Sequence, residues 1–172
     1  MGSKILVSGR PGVGKTTLVR KIIAGKTALA GGFLTEEIRE QGRRVGFRVE
    51  DVFTGERGIL AHVRRKGPPR VGKYGVDTDD FERVGVAALE AAMRRPGCIL
   101  IDEIGKMELC SQAFQRAVVA AMDSGHPLAA TIPVWRDPFL DRLRERSDVA
   151  IVTVTASNRD DLPARLLEML AG

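Results

Sequence analysis

Residues Gly9 to Thr16 read GRPGVGKT, the spacing G-x-x-x-x-G-K-[ST], which describes a cradle for phosphate groups. Gly9, Gly12 and Gly14 permit backbone conformations closed to residues with a Cβ, so successive N–H groups up to Thr17 are expected to turn into one concavity. A triphosphate fits such a concavity. The expected nucleotide-binding set is therefore Gly9, Arg10, Pro11, Gly12, Val13, Gly14, Lys15, Thr16 and Thr17. Lys15 reaches for the β- and γ-phosphates, Thr16 offers a hydroxyl to Mg²⁺, and the start of the following helix adds partial positive charge. The competing reading is a glycine-rich turn with an incidental lysine.

A phosphate cradle needs a carboxylate to hold the metal, and an apolar strand ending in acid would supply one. Cys98-Ile99-Leu100-Ile101 is such a run, followed by Asp102 and Glu103. Asp102 is expected to hold Mg²⁺ through its water shell. Glu103 points differently along the strand and is expected to polarise water for attack on the γ-phosphate. The alternative is an acidic strand end facing solvent.

The elements that must position these residues are readable around them. Lys4 to Ser8 is a short β-branched run suited to a buried parallel strand, and Leu18, Val19, Ile22 and Ile23 recur at helical spacing up to Gly25. Gly32 to Ile38, Val45 to Val52 and Gly58 to Val63 then read as strands of an antiparallel meander, turning at Gln41-Gly42 and Thr54-Gly55. Asp77 reads as the cap of a helix that ends by Pro96-Gly97. Beyond Glu103, Ser111 to Met122, Pro138 to Arg146 and Asp160 to Leu170 read as helices, with strands at Leu128 to Ile132 and Val149 to Val154. At least one strand thus separates the phosphate-loop strand from the Asp102 strand. With Glu103 directly after Asp102, this favours the division of P-loop proteins that use a catalytic glutamate over the G-protein and nucleotide-kinase division. Thr131, at the end of the strand that follows Asp102 in the chain, faces the γ-phosphate position or packs in the core.

With 172 residues, 44% hydrophobic and 28% charged, residues 1–172 are expected to form one domain. No apolar run is long enough for a membrane helix, and MGSKILV passes straight into the first strand, so no membrane partner and a cytoplasmic location are expected. Cys98 and Cys110 lack zinc spacing and are expected as reduced thiols, and a monomer is the expected state. His62 and His126 are isolated and read as structural. The net charge of +5 raises nucleic acid as a partner, and the densest basic stretch, Arg64 to Lys73, reads as an exposed loop. It is a lid, a nucleic-acid contact or inert surface.

The segments GRPGVGKTTL, GGFLTEEIRE with GRRVGF, RVGKYGVD, ILIDEIGKMEL, ATIPV and TASNRDDL together resemble the small nucleoside-triphosphatases known from thermophiles and, in vertebrates, as cancer-related nucleoside-triphosphatase. The resemblance spans nearly the whole chain. It implies a RecA-like α/β three-layer sandwich, with a mainly parallel central sheet and the meander as an insertion. It further implies slow, Mg²⁺-dependent hydrolysis of nucleoside triphosphates with broad base specificity. Lys15 and Glu103 are then catalytic, and Thr16 and Asp102 hold the metal. Lys106 and Arg136 become candidate cations on the transferred phosphoryl group, with a surface ion pair as the competing explanation for each. Asn158 and Arg159 fall where a base would be held, without the N-K-x-D pattern of a guanine reader. The stretch from Gly25 to Gly31 is short for the family, and Arg10 adds a charge where smaller residues are common. Two other classes fit the same loop: a nucleoside or polynucleotide phosphotransferase, and a nucleic-acid-associated nucleotide switch.

Overall fold

The computed structural model describes residues 2–25 and 28–171; Lys26 and Thr27, within the short Gly25 to Gly31 stretch, lie outside the described residues. Nine strands form one sheet in the order β5-β6-β4-β3-β2-β7-β8-β1-β9. The strands are β1 (Lys4–Ser8), β2 (Leu29–Glu40), β3 (Arg43–Asp51), β4 (Arg57–His62), β5 (Arg70–Val71), β6 (Tyr74–Val76), β7 (Cys98–Ile101), β8 (Leu128–Ile132) and β9 (Val149–Thr153). From β2 through β7, β8 and β1 to β9 every pairing is parallel, and β2-β3-β4-β6-β5 is antiparallel. The antiparallel meander therefore extends the parallel central strands into one large mixed sheet.

Alternation along the parallel strands builds two cores. Ile5 and Val7 of β1, with Cys98 and Leu100 of β7, pack under helix α1 (Lys15–Gly25) and helix α6 (Leu162–Ala171). Leu6, Ile99 and Ile101 face the opposite layer. That layer holds α2 (Thr78–Phe81), a π-helical turn (Glu82–Val86), α3 (Ala87–Ala92), α4 (Gln112–Asp123) and α5 (Pro138–Arg144). Phe33 of β2, Phe81 of α2 and Phe114 of α4 meet edge to face, with ring centroids 5.2–5.7 Å apart, and lock the meander to the helices. The wide turn sits where Gly85 lies against the Phe81 ring: a Cβ there would come within 2.6 Å of Cε2. Gly32, at φ +121°, meets β7 so closely that a Cβ would fall 1.8 Å from the Leu100 carbonyl oxygen. This contact seats the long strand β2 directly against the strand that ends at Asp102.

Asp77 caps its helix as expected, accepting from the Asp80 N–H at 3.0 Å, and Ser111 likewise caps α4, accepting from the Phe114 N–H at 3.0 Å. Between Arg64 and Lys73 the expected loop instead contains β5, a two-residue strand too short to leave a period in the sequence. Its charges are largely engaged. Arg64 pairs with Glu40, Arg65 with Asp77 at 3.1 Å, and Arg70 donates to the carbonyls of Arg65 and Lys73. The histidines serve structure: His62 Nδ1 accepts from the Arg64 N–H, and His126 bridges Ser124 and the Arg95 carbonyl.

Candidate functional site

The parallel register brings the carboxyl ends of β1, β7 and β8 to one edge of the sheet, with β8 between the other two. From β1 the chain enters the phosphate loop, in which Val13 N–H donates to the Arg10 carbonyl and Leu18 N–H to that of Gly14. Gly12 and Gly14 take φ of +78° and +109°, the left-handed region that favours glycine. Gly9 is needed for a different reason. A Cβ on it would lie 2.7 Å from Val13 Cγ1, so packing rather than backbone freedom selects glycine.

A cleft of about 620 Å³ opens above these strand ends, lined at the loop by Pro11, Gly12, Lys15 and Thr16 and at β7 by Asp102 and Glu103. Lys15 Nζ donates to the Ile132 carbonyl at 3.2 Å and stands 3.5 Å from Glu103 Oε2. The lysine that would meet phosphate thus rests against the carboxylate that would meet water. Asp102 is 2% exposed. Its Oδ1 accepts from the Thr131 hydroxyl at 2.6 Å, and Oδ2 is buried with no hydrogen-bond partner among the described residues. Burial pushes the Asp102 carboxyl up, opposed by the hydroxyls of Thr131 and Thr16 and by the charge of Lys15. Burial also raises Glu103; Lys15 opposes it and neighbouring Asp102 reinforces it.

An orphaned, buried carboxylate oxygen beside a threonine hydroxyl at a phosphate loop is a donor set for a hard cation. Asp102 and Thr16 fit Mg²⁺ in that respect. Thr131, read as a γ-phosphate sensor or a core residue, is fully buried and orients Asp102. Thr131→Val keeps the shape and removes the hydroxyl. Turnover is expected to fall about tenfold, in line with a hydrogen bond to a charged group worth roughly 1.5 kcal/mol, while thermal unfolding shows the fold retained. Phosphate release within about twofold of the parent would leave Thr131 a packing role only.

The structure places the remaining sequence-selected residues less uniformly. Thr17, Gly14 and Arg159 line a small groove beside the loop, with Lys21 and Asp160. Asn158 is committed to the turn after β9: its Oδ1 accepts from the Thr155 N–H at 2.7 Å and its Nδ2 donates to the Thr153 carbonyl at 2.9 Å. Arg10 is exposed. Lys106 stands over the Trp135 ring, 5.2 Å from its centroid, and lines an adjoining chamber rather than the phosphate cleft. Arg136, its side chain 82% exposed, pairs with Asp141 at 3.0 Å and lines neither space. The cleft's other cations are Arg20, paired with Glu36, and Arg44, which donates to Glu37 at 3.0 Å and to the Tyr74 hydroxyl at 3.0 Å. The meander thus supplies a whole wall of Thr35, Glu36, Glu37, Arg44 and Phe47, which reading for phosphate chemistry alone overlooks. Its signal was three consecutive polar residues inside a strand, Thr35-Glu36-Glu37, and the GRRVGF segment.

A sequence profile of an NTPase family matches residues 4–167. The chain belongs to this NTPase family. As a member it is a hydrolase. It is 47% identical over 167 residues to "Nucleoside-triphosphatase THEP1" of Thermotoga petrophila, covering 97% of this chain and 92% of that protein. The crystal structure of THEP1 from Aquifex aeolicus superposes with a TM-score of 0.89 at 36% identity, covering 98% of this chain and 99% of that one. The solution structure of a human cancer-related nucleoside triphosphatase gives a TM-score of 0.80 at 38% identity, with 96% of each chain covered. The sheet flanked by helices is therefore the NTPase family's α/β fold.

Proposed function

We propose that the chain hydrolyses nucleoside 5′-triphosphates, with Mg²⁺, to diphosphate and phosphate, and that it accepts several bases. The observation that carries this reading is the convergence of Lys15, Thr16, Asp102 and Glu103 on one cleft at the carboxyl ends of β1 and β7. In this reading the loop N–H groups and Lys15 bind the β- and γ-phosphates, and Glu103 accepts a proton from the attacking water. Lys15 neutralises Glu103 before nucleotide arrives; engagement with phosphate draws the ammonium away and leaves the carboxylate as a base. Thr16 and Asp102 would hold Mg²⁺, which would supply positive charge to offset that of the phosphates. Thr131 holds one Asp102 oxygen and leaves the other without a hydrogen-bond partner among the described residues.

Arg20 and Arg44 are the cations placed to meet additional negative charge in the cleft. Lys106 and Arg136 have no comparable placement, which moves the proposed phosphoryl-facing charge from them to the meander and α1. Nucleic-acid binding through Arg64 to Lys73 is not part of the proposal, because Arg64, Arg65 and Arg70 are engaged within the chain.

Broad base acceptance follows from the base side of the loop. Asn158 spends both amide groups on its own turn, leaving Arg159 as the polar side chain of the original pair still free to meet a base edge. ATP and GTP are therefore expected to differ by less than about tenfold in kcat/KM, under roughly 1.4 kcal/mol of discrimination. Initial rates of phosphate release across ATP, GTP, CTP and UTP check this, and a hundredfold preference would mean a dedicated base reader.

A further inference from the structure

A second space adjoins the phosphate cleft and shares a wall with it. It holds about 230 Å³ and is lined by Thr35, Phe47, Glu103, Trp135, Val71 and Met107, with Leu60, Lys106 and Glu108 completing it. Thr35, Phe47, Glu103 and Trp135 also line the cleft, so Glu103 stands at the boundary between the two spaces. Two features set this chamber apart from a water site. Its walls are aromatic and aliphatic, the surroundings of an organic ligand rather than of a lone water. Its polar groups converge: Glu108, only 3% exposed, contributes a carboxyl that accepts the Gly105 N–H at 3.2 Å. The carboxyls of Glu103 and Glu108 lie on the same side of Gly105, where a Cβ would come within 2.8 Å of Glu103 Oε1 and 2.9 Å of Glu108 Oε2. Water as sole nucleophile would need neither the apolar walls nor the second acid.

We propose that this chamber is an acceptor site for a nucleoside, and that the chain transfers the γ-phosphoryl group to a hydroxyl of that acceptor as well as to water. The assignment rests on the hydrolytic reading above, since the donor nucleotide and the base are the same. Phe47 and Trp135 give a flat base apolar and aromatic surface to lie against, Glu108 accepts or donates at its polar edge, and the sugar hydroxyl is directed to Glu103. In the step, the hydroxyl oxygen bonds to the γ-phosphorus as the bond from that phosphorus to the β–γ bridging oxygen breaks. The hydroxyl proton passes to Glu103 and then to solvent. The diphosphate leaves with the bond's electron pair, and the acceptor becomes a phosphate monoester. Hydrolysis is the same transfer with water in the acceptor's place.

The test incubates the protein with γ-labelled ATP and Mg²⁺, adding adenosine, guanosine, cytidine, uridine or thymidine separately, and reads labelled monophosphate and free phosphate from the same tube. At least one nucleoside is expected to take the label and to divert phosphate from solvent. Val71→Trp, which fills the chamber from β5, is expected to lower labelled monophosphate by about tenfold or more. Phosphate release without nucleoside should stay within about twofold of the parent. Met107→Trp fills the chamber from another wall and covers the case in which the first variant misfolds. Absence of label on all five nucleosides, or labelling that both fillings leave intact, would overturn the acceptor site. Failure of the hydrolytic reading is distinguishable, because phosphate release would then be missing from the parent tube without nucleoside.

Discussion

Glu103→Gln is expected to bind Mg²⁺-nucleotide with near-parental affinity and to turn it over at least about 100-fold more slowly. The amide keeps the size and polarity of the side chain and loses only the capacity to take a proton. In the absence of nucleotide Glu103 is not idle, because its Oε2 lies 3.5 Å from Lys15 Nζ. Removing its charge therefore releases Lys15 as well, and nucleotide affinity is expected to hold or rise slightly while kcat falls. This split between binding and turnover marks a group that acts in the transition state. Titration of bound nucleotide alongside steady-state phosphate release measures both halves.

Lys15→Ala is expected to lose affinity and rate together. Its side chain is 10% exposed in the cleft, and its ammonium is tied to the end of β8 through the Ile132 carbonyl. A phosphate group entering the loop meets that charge in the ground state and in the transition state alike, so its removal is felt in both. A loss of about 100-fold or more in kcat/KM, some 2.7 kcal/mol, is expected, with a raised KM as part of it. The alanine also leaves Glu103 without its cation, so a modest change in thermal stability accompanies the kinetic loss. Full activity in this variant would mean that phosphate is bound elsewhere.

Much of this arrangement is legible in the order of residues. The phosphate loop is a contiguous motif whose glycines answer local demands, and Asp102-Glu103 closes an uninterrupted apolar run, so both can be found by reading along the chain. The caps at Asp77 and Ser111 are equally local, each side chain meeting an N–H three residues ahead. What could not be read is convergence. Arg44 enters the cleft only because β2 and β3 pair antiparallel and β2 is pressed against β7 at Gly32. Thr131 reaches Asp102 only because β8 lies between β1 and β7, a consequence of sheet order.

The same limit explains Lys106 and Arg136. Each follows a strand that ends at the cleft, yet Lys106 turns over Trp135 and Arg136 turns toward Asp141 on α5. Position after a strand sets where a Cα emerges and leaves the side chain to its nearest attractive neighbour. Glu108 escaped notice for the opposite reason. A glutamate in the sequence reads as surface, and only its place in a wall shared with Leu60 and Met107 makes it one of the few buried acids in the described residues.

The most direct test of the hydrolytic account is single-turnover phosphate release with protein in excess over γ-labelled ATP and Mg²⁺, for the parent and for Glu103→Gln side by side. Excess protein removes product release from the measured rate and leaves the transfer of the phosphoryl group to water. The account predicts that both proteins bind the nucleotide fully and that the variant releases phosphate about 100-fold more slowly. Equal rates in the two proteins, with nucleotide bound to each, would contradict it.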